Sequence, residues 1–137
     1  MRVAFTSTTG TVIDQHFGHA DHFFIWEVGA DAAGPVGRVE ALVAGDEEDR
    51  TAARASAIAG CAIVYTQEIG GPAAAKLVAR RIHPMKTHTE LEIAAAVARL
   101  QEVLRGRPPP WLRRLLDPGP QDGGGPAGEA PALDAEA

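Results

Sequence analysis

Residues 61–65 (CAIVY) form an almost unbroken apolar run, closed by Gly60 before it and by Gly70-Gly71-Pro72 shortly after it. A strand of this kind has no polar face to offer water. It must be covered on both sides, which is the condition of an interior strand in a parallel sheet that carries helices. The flanking sequence meets that demand. Residues 50–59 are Ala-rich and follow the acidic stretch 46–49, whose charges suit a helix N-terminus, and Gly60 ends that helix. Residues 73–81 follow Pro72, which sits without penalty in the first turn of a helix because no amide hydrogen is needed there. Residues 82–86 supply a further strand. Thr89 and Glu92 have the spacing of a capping box, which opens a helix through Arg105 with Leu91, Ala95, Val97, Ala98 and Val103 available to a core.

The N-terminal half reads as strands. Residues 2–6 (RVAFT) alternate and are followed by a turn over 7–10; residues 22–28 (HFFIWEV) and 35–43 (PVGRVEALV) complete three strands, expected to form an antiparallel meander. The order βββαβαβα then gives an α/β, three-layer domain: a five-stranded mixed sheet with helices on both faces. This order resembles the ribonuclease H architecture. The nucleases of that fold need carboxylates on the first and fourth strands to hold two metal ions, and neither RVAFT nor CAIVY contains one, so two-metal nuclease chemistry is not expected.

With 137 residues the chain suits one domain, expected over residues 1–105, and a shift in composition marks its end. Seven of the ten prolines and six of the fifteen glycines lie from Gly106 onward. Residues 106–117 are read as a Pro-rich amphipathic extension, in which Trp111, Leu112, Leu115 and Leu116 can fold back on the body. Residues 118–137 are too poor in large apolar groups to offset the entropy of ordering, and disorder is expected there. Charge follows the same division. The formal charge of -5 arises wholly in the tail, since residues 1–116 hold 13 bases and 13 acids whereas 117–137 hold five acids and no base. Residues 76–114 hold 9 bases and 3 acids, a patch able to steer an anionic ligand. Few aromatics are interleaved with it, so nucleic acid is not an expected partner. Nothing approaches a membrane span or a signal peptide, and a cytoplasmic protein with no membrane association is expected.

One cysteine excludes an internal disulfide and any zinc site built on two or more cysteines. Histidine therefore carries the metal chemistry. Between the first two strands, residues 14–22 (DQHFGHADH) place His16, His19 and His22 three apart in a predicted loop, where imidazoles can turn toward one ligand. The spacing alone leaves open whether one or several of them bind. His16 is favoured, with His22 as a second metal-ligand candidate, because Gly18 two residues later lets the backbone give way to a bulky ligand. Asp14 either orients an imidazole or holds the turn. Gly70 and Gly71 stand where a strand hands over to a helix, so amides and helix dipole suit an anion, although a tight turn has the same composition. His83, Lys86 and His88 flank the last strand. Cys61 can offer a thiolate to iron, or serve as a small apolar residue. No constellation of acid, base and nucleophile is present, and no catalytic residue is assigned.

The segments IDQHFGHADHFFIWEV (13–28), GCAIVYTQEIGGPAAAKLVARRIHPMK (60–86) and PPPWLRRLL (108–116) resemble the NifX/NafY/VnfX family of dinitrogenase iron-molybdenum cofactor biosynthesis proteins. The resemblance covers roughly residues 1–116. It implies a ribonuclease H-like domain that is not an enzyme and that binds the iron-sulfur precursor NifB-co, and the iron-molybdenum cofactor itself, transiently during assembly. The implied partners are NifB and the NifEN scaffold, and a monomer or weak dimer is expected. A cluster-binding histidine of the family falls on His16, with Gly18, His19, Gly70, Gly71, His83 and Cys61 as further candidates. The competing reading is an interaction module that contacts NifEN or NifB without any cluster.

Overall fold

The computed structural model describes residues 1–116 and the backbone of 133–134. Strands β1 (Arg2–Phe5), β3 (His22–Val28) and β4 (Ala33–Glu40) make the antiparallel half of the main sheet. Strands β5 (Ile63–Thr66) and β6 (His83–Lys86) run parallel to β1 on its other side. Helix α1 (Glu47–Ala57) leads into β5, and α2 (Gly71–Ala79) joins β5 to β6. Helices α3 (Ile93–Arg105) and α4 (Pro110–Leu116) follow.

Side-chain alternation along the strands builds two cores. Ala4, Phe23, Ile25 and Val64 pack with Ala55 and Ile58 from the α1 region and with Leu77 of α2. Val3, Phe5, Ile63 and Tyr65 point the other way, into Ile93, Val97 and Leu100 of α3 and Leu112 of α4. Val3, Ala4, Phe5, Ile63 and Val64 have no exposed surface, so β1 and β5 are interior strands covered on both faces.

Several expectations need correction. The Thr89–Glu92 capping box does not form. Leu91 and Glu92 instead make a short strand, β7, against β2 (Val12–Ile13). The Ile93 amide donates to the Thr11 carbonyl, and Glu92 caps α3 without a side-chain bond. A capping box does occur on α1, where the Asp46 carboxylate accepts from the Asp49 amide and the Asp49 side chain accepts from Asp46. Strand β4 ends at Glu40 rather than at residue 43, and Leu42 is 78% exposed.

The disorder expected over 118–137 lies outside the described residues except at β8 (Leu133–Asp134), which pairs in parallel with Met85 and Lys86 and gives the main sheet a sixth strand. The amides of His83 and Thr87 donate to Ala62 and Thr66 on the β5 side, so Pro84, with no amide hydrogen, faces the outer edge of the sheet. No helix among the described residues is long and apolar enough to cross a membrane.

Candidate functional site

The loops that follow the C-terminal ends of β1 and β5 gather at one edge of the sheet, the edge where α/β sheets most often bind ligands. The loop from Gln15 to Ala20 is fastened there by its backbone. The Gln15 carbonyl accepts from the hydroxyls of Thr6 and Thr66 and from the Gln67 amide, and the Phe17 amide donates to the Glu68 carbonyl at 2.9 Å. Phe17 is fully buried against Phe23, which anchors a single 3-10 turn, Phe17–His19. With Phe17 turned inward, its neighbours His16 and His19 are turned out. Both are exposed, and their imidazoles lie parallel, with 5.5 Å between ring centroids and 7° between planes. Two solvent-facing imidazoles on one tethered turn can serve an iron-containing ligand as a sparse, exchangeable donor set.

Asp14 holds the turn of the preceding loop rather than an imidazole. Its carboxylate accepts from the amide and the hydroxyl of Thr8. Beside it, Gly10 is required by the backbone, with φ at +87°. The other glycines of this edge have no such reason. Gly18, Gly70 and Gly71 all lack positive φ, and a Cβ added at any of them would meet nothing within 4 Å. Gly70 caps α2 with no side-chain bond, so the first-turn amides of Gly71 and Ala73 face outward without an intrahelical acceptor. The steric reading of these glycines therefore fails, and an open, amide-lined edge beside two imidazoles remains.

Of the remaining candidates, His22, Lys86 and His88 also lie at this edge, each turned to other contacts or set apart from the two imidazoles, whereas Cys61 and His83 do not. His22 opens β3, gives Nδ1 to the Asp21 carboxylate at 2.7 Å and sets its ring edge-on to Phe24; its Nε2 is buried without a hydrogen-bond partner. Cys61 and His83 sit at the opposite ends of the parallel strands, because Cys61 precedes β5 and His83 is in register with Ile63, the first residue of β5. The length of a four-residue strand, about 13 Å, separates that end from the histidine turn. Burial pushes the Cys61 thiol up to about 11, so it is a protonated, small apolar group. Burial pushes the His83 imidazole down to about 4 and keeps it neutral beneath Trp111. Lys86, half-buried, ends β6. His88 pairs through Nδ1 with Glu68 at 2.9 Å. Among the described residues no group of three or more His, Cys, Asp and Glu is placed to hold a metal ion.

One contributor is absent from the sequence reading. Arg54 of α1 is only 7% exposed, and its Nε donates to the Ala20 carbonyl, the residue that closes the histidine turn, at 2.7 Å. The signal available in the sequence is spacing, since Thr51, Arg54, Ala55 and Ile58 share the buried face of one helix.

A sequence model of the family "Dinitrogenase iron-molybdenum cofactor" matches residues 1–103. Protein NifX of Herbaspirillum seropedicae is 38% identical over 122 residues, spanning 87% of this chain and 84% of the relative. Protein NifX of Sinorhizobium fredii is 34% identical over 124 residues, spanning 85% of this chain and 78% of the relative. Among solved structures, the crystal structure of PH0822 superposes with a TM-score of 0.60 at 21% identity, over 74% of this chain and 89% of that one, a likeness of fold alone.

Proposed function

The chain belongs to the dinitrogenase iron-molybdenum cofactor family, and we propose that it serves the biosynthesis of that cofactor as a carrier of its iron-sulfur precursor. In this reading NifB-co and related forms of the iron-molybdenum cofactor are cargo, bound transiently at the His16–His19 turn. NifB is the source and the NifEN scaffold the recipient, in the cytoplasm. The architecture is taken as ribonuclease H-like. The protein holds and releases; it converts nothing.

The observation that carries the reading is the exposed, parallel pair of imidazoles beside three glycines that neither backbone conformation nor packing requires. An anionic cluster needs donors for iron and compensation for its charge. The imidazoles supply the first, and the outward amides at the start of α2 supply the second. A carrier must also let go. Two donors on an exposed turn bind less firmly than a closed site of four thiolates, which favours hand-over to a scaffold with more ligands.

Anaerobic titration with isolated NifB-derived cluster, read by absorbance and by co-elution on gel filtration, tests the proposal on wild type and His16→Ala in parallel. Saturable binding that His16→Ala weakens at least tenfold is expected. Equal binding by both proteins moves the site away from the turn. No binding by wild type, together with retained affinity for NifEN or NifB, replaces the carrier with the cluster-free interaction module.

A further inference from the structure

As a residue Arg54 is more than nine-tenths buried, and burial is the largest influence on its guanidinium, opposed by the carboxylates of Glu47 and Asp21 beyond direct contact. Its Nε bonds the Ala20 carbonyl, while its Nη1 is buried with no hydrogen-bond partner. Burying a cation in this way is unfavourable, and an apolar side chain of similar length is often as stable or more stable at such a place. Stability therefore does not explain the residue. Its single strong contact does: Ala20 closes the 3-10 turn, with its own amide on the Phe17 carbonyl, directly after His19. The β5 side already fastens the turn through Phe17 and Glu68. Arg54 fastens its other end from α1, so that the segment carrying both imidazoles is held between the two elements.

We propose that Arg54 is a positioning residue for the histidine turn: by fixing the Ala20 carbonyl it keeps His16 and His19 side by side and facing outward. This inference rests on the reading of that turn as the cargo site. The interaction itself is with the turn, and it can be measured without cargo.

The variants are Arg54→Met, which keeps length and removes the donor, and Arg54→Lys, which keeps a cationic donor if Arg54→Met fails to fold. Two readouts are taken on the full chain: amide hydrogen exchange of His19 and Ala20, and anaerobic affinity for isolated NifB-derived cluster. Arg54→Met is expected to melt within a few degrees of wild type, to exchange at those two amides at least tenfold faster, and to bind cluster about tenfold more weakly. Arg54→Lys is expected to restore part of both losses. Unchanged exchange at His19 and Ala20 overturns the proposal, as does a uniform rise in exchange across β1 and β5, which would mark a purely structural role. If wild type binds no cluster, the carrier reading fails by itself, and the exchange data still decide on Arg54.

Discussion

The imidazole of His83 lies flat on the indole of Trp111, with 3.8 Å between ring centroids and 11° between planes. This stack fastens α4, which begins on the last of three consecutive prolines, to the start of β6. His83 is 3% exposed, so the ring is held in its uncharged form.

That burial makes stability pH-dependent. His83 titrates near its ordinary 6.5 in the unfolded chain and near 4 in the folded protein. Between those values the unfolded chain binds a proton that the folded protein does not. The stabilisation is therefore complete above pH 6.5 and is lost as pH falls toward 4, by at most about 3 kcal/mol. Urea unfolding at half-unit steps from pH 7.5 to 4 is expected to show this decline in wild type and a flatter profile in His83→Phe, which keeps a ring under Trp111. An equal decline in both proteins would assign the slope to carboxylates.

Leu112 is the fully buried anchor of the same helix. Leu112→Ala is expected to cost about 2–5 kcal/mol in urea unfolding, the range for removing a buried leucine side chain. Because α4 sits on β6 at the end away from the histidine turn, cluster affinity measured below the unfolding transition should change less than twofold. A tenfold loss would join α4 to the site.

Cys61 is expected to behave as core. With its thiol pushed up to about 11, roughly one molecule in ten thousand carries a thiolate at pH 7. Ellman's reagent should leave native protein unlabelled over minutes and label it fully in denaturant. Cys61→Ala should bind cluster as wild type does; a tenfold loss would return sulfur to the ligand set.

Where periodicity or a breaker residue decided the matter, the sequence was legible. Ile63 to Tyr65 of CAIVY lie in the interior strand β5, which starts two residues later than expected and runs on to Thr66; Pro72 lies in the first turn of α2, and Phe17 to His19 sit in a loop between strands. Tertiary pairing defeated local signals elsewhere. Thr89 and Glu92 have capping-box spacing, but Val12 and Ile13 reach across and hold Leu91 and Glu92 extended. The candidate site was legible in kind but not in membership. Nearness in sequence suggested that His22 would join His16, yet His22 belongs to β3 and turns to Asp21 and Phe24. Nothing local reveals that parallel strands carry Cys61 and His83 to the far edge. Arg54 was missed for the converse reason, since its contact with Ala20 spans 34 residues.

The glycines separate the site from the fold most sharply. Gly18 and Gly71 have ordinary backbone conformations and open space where a Cβ would stand. Gly18→Ala and Gly71→Ala should therefore leave stability unchanged or raise it by about 0.4–1 kcal/mol, because alanine narrows the unfolded ensemble without straining the folded one. If a cluster is drawn against the amides of this edge, the same methyl groups stand between it and the backbone, and affinity in anaerobic titration should fall several-fold in each variant. Thermal melts and titrations on the same preparations give both quantities. Higher stability with lower affinity is the signature of positions kept for a ligand. Wild-type affinity in both variants would mean that the cargo touches the imidazoles alone.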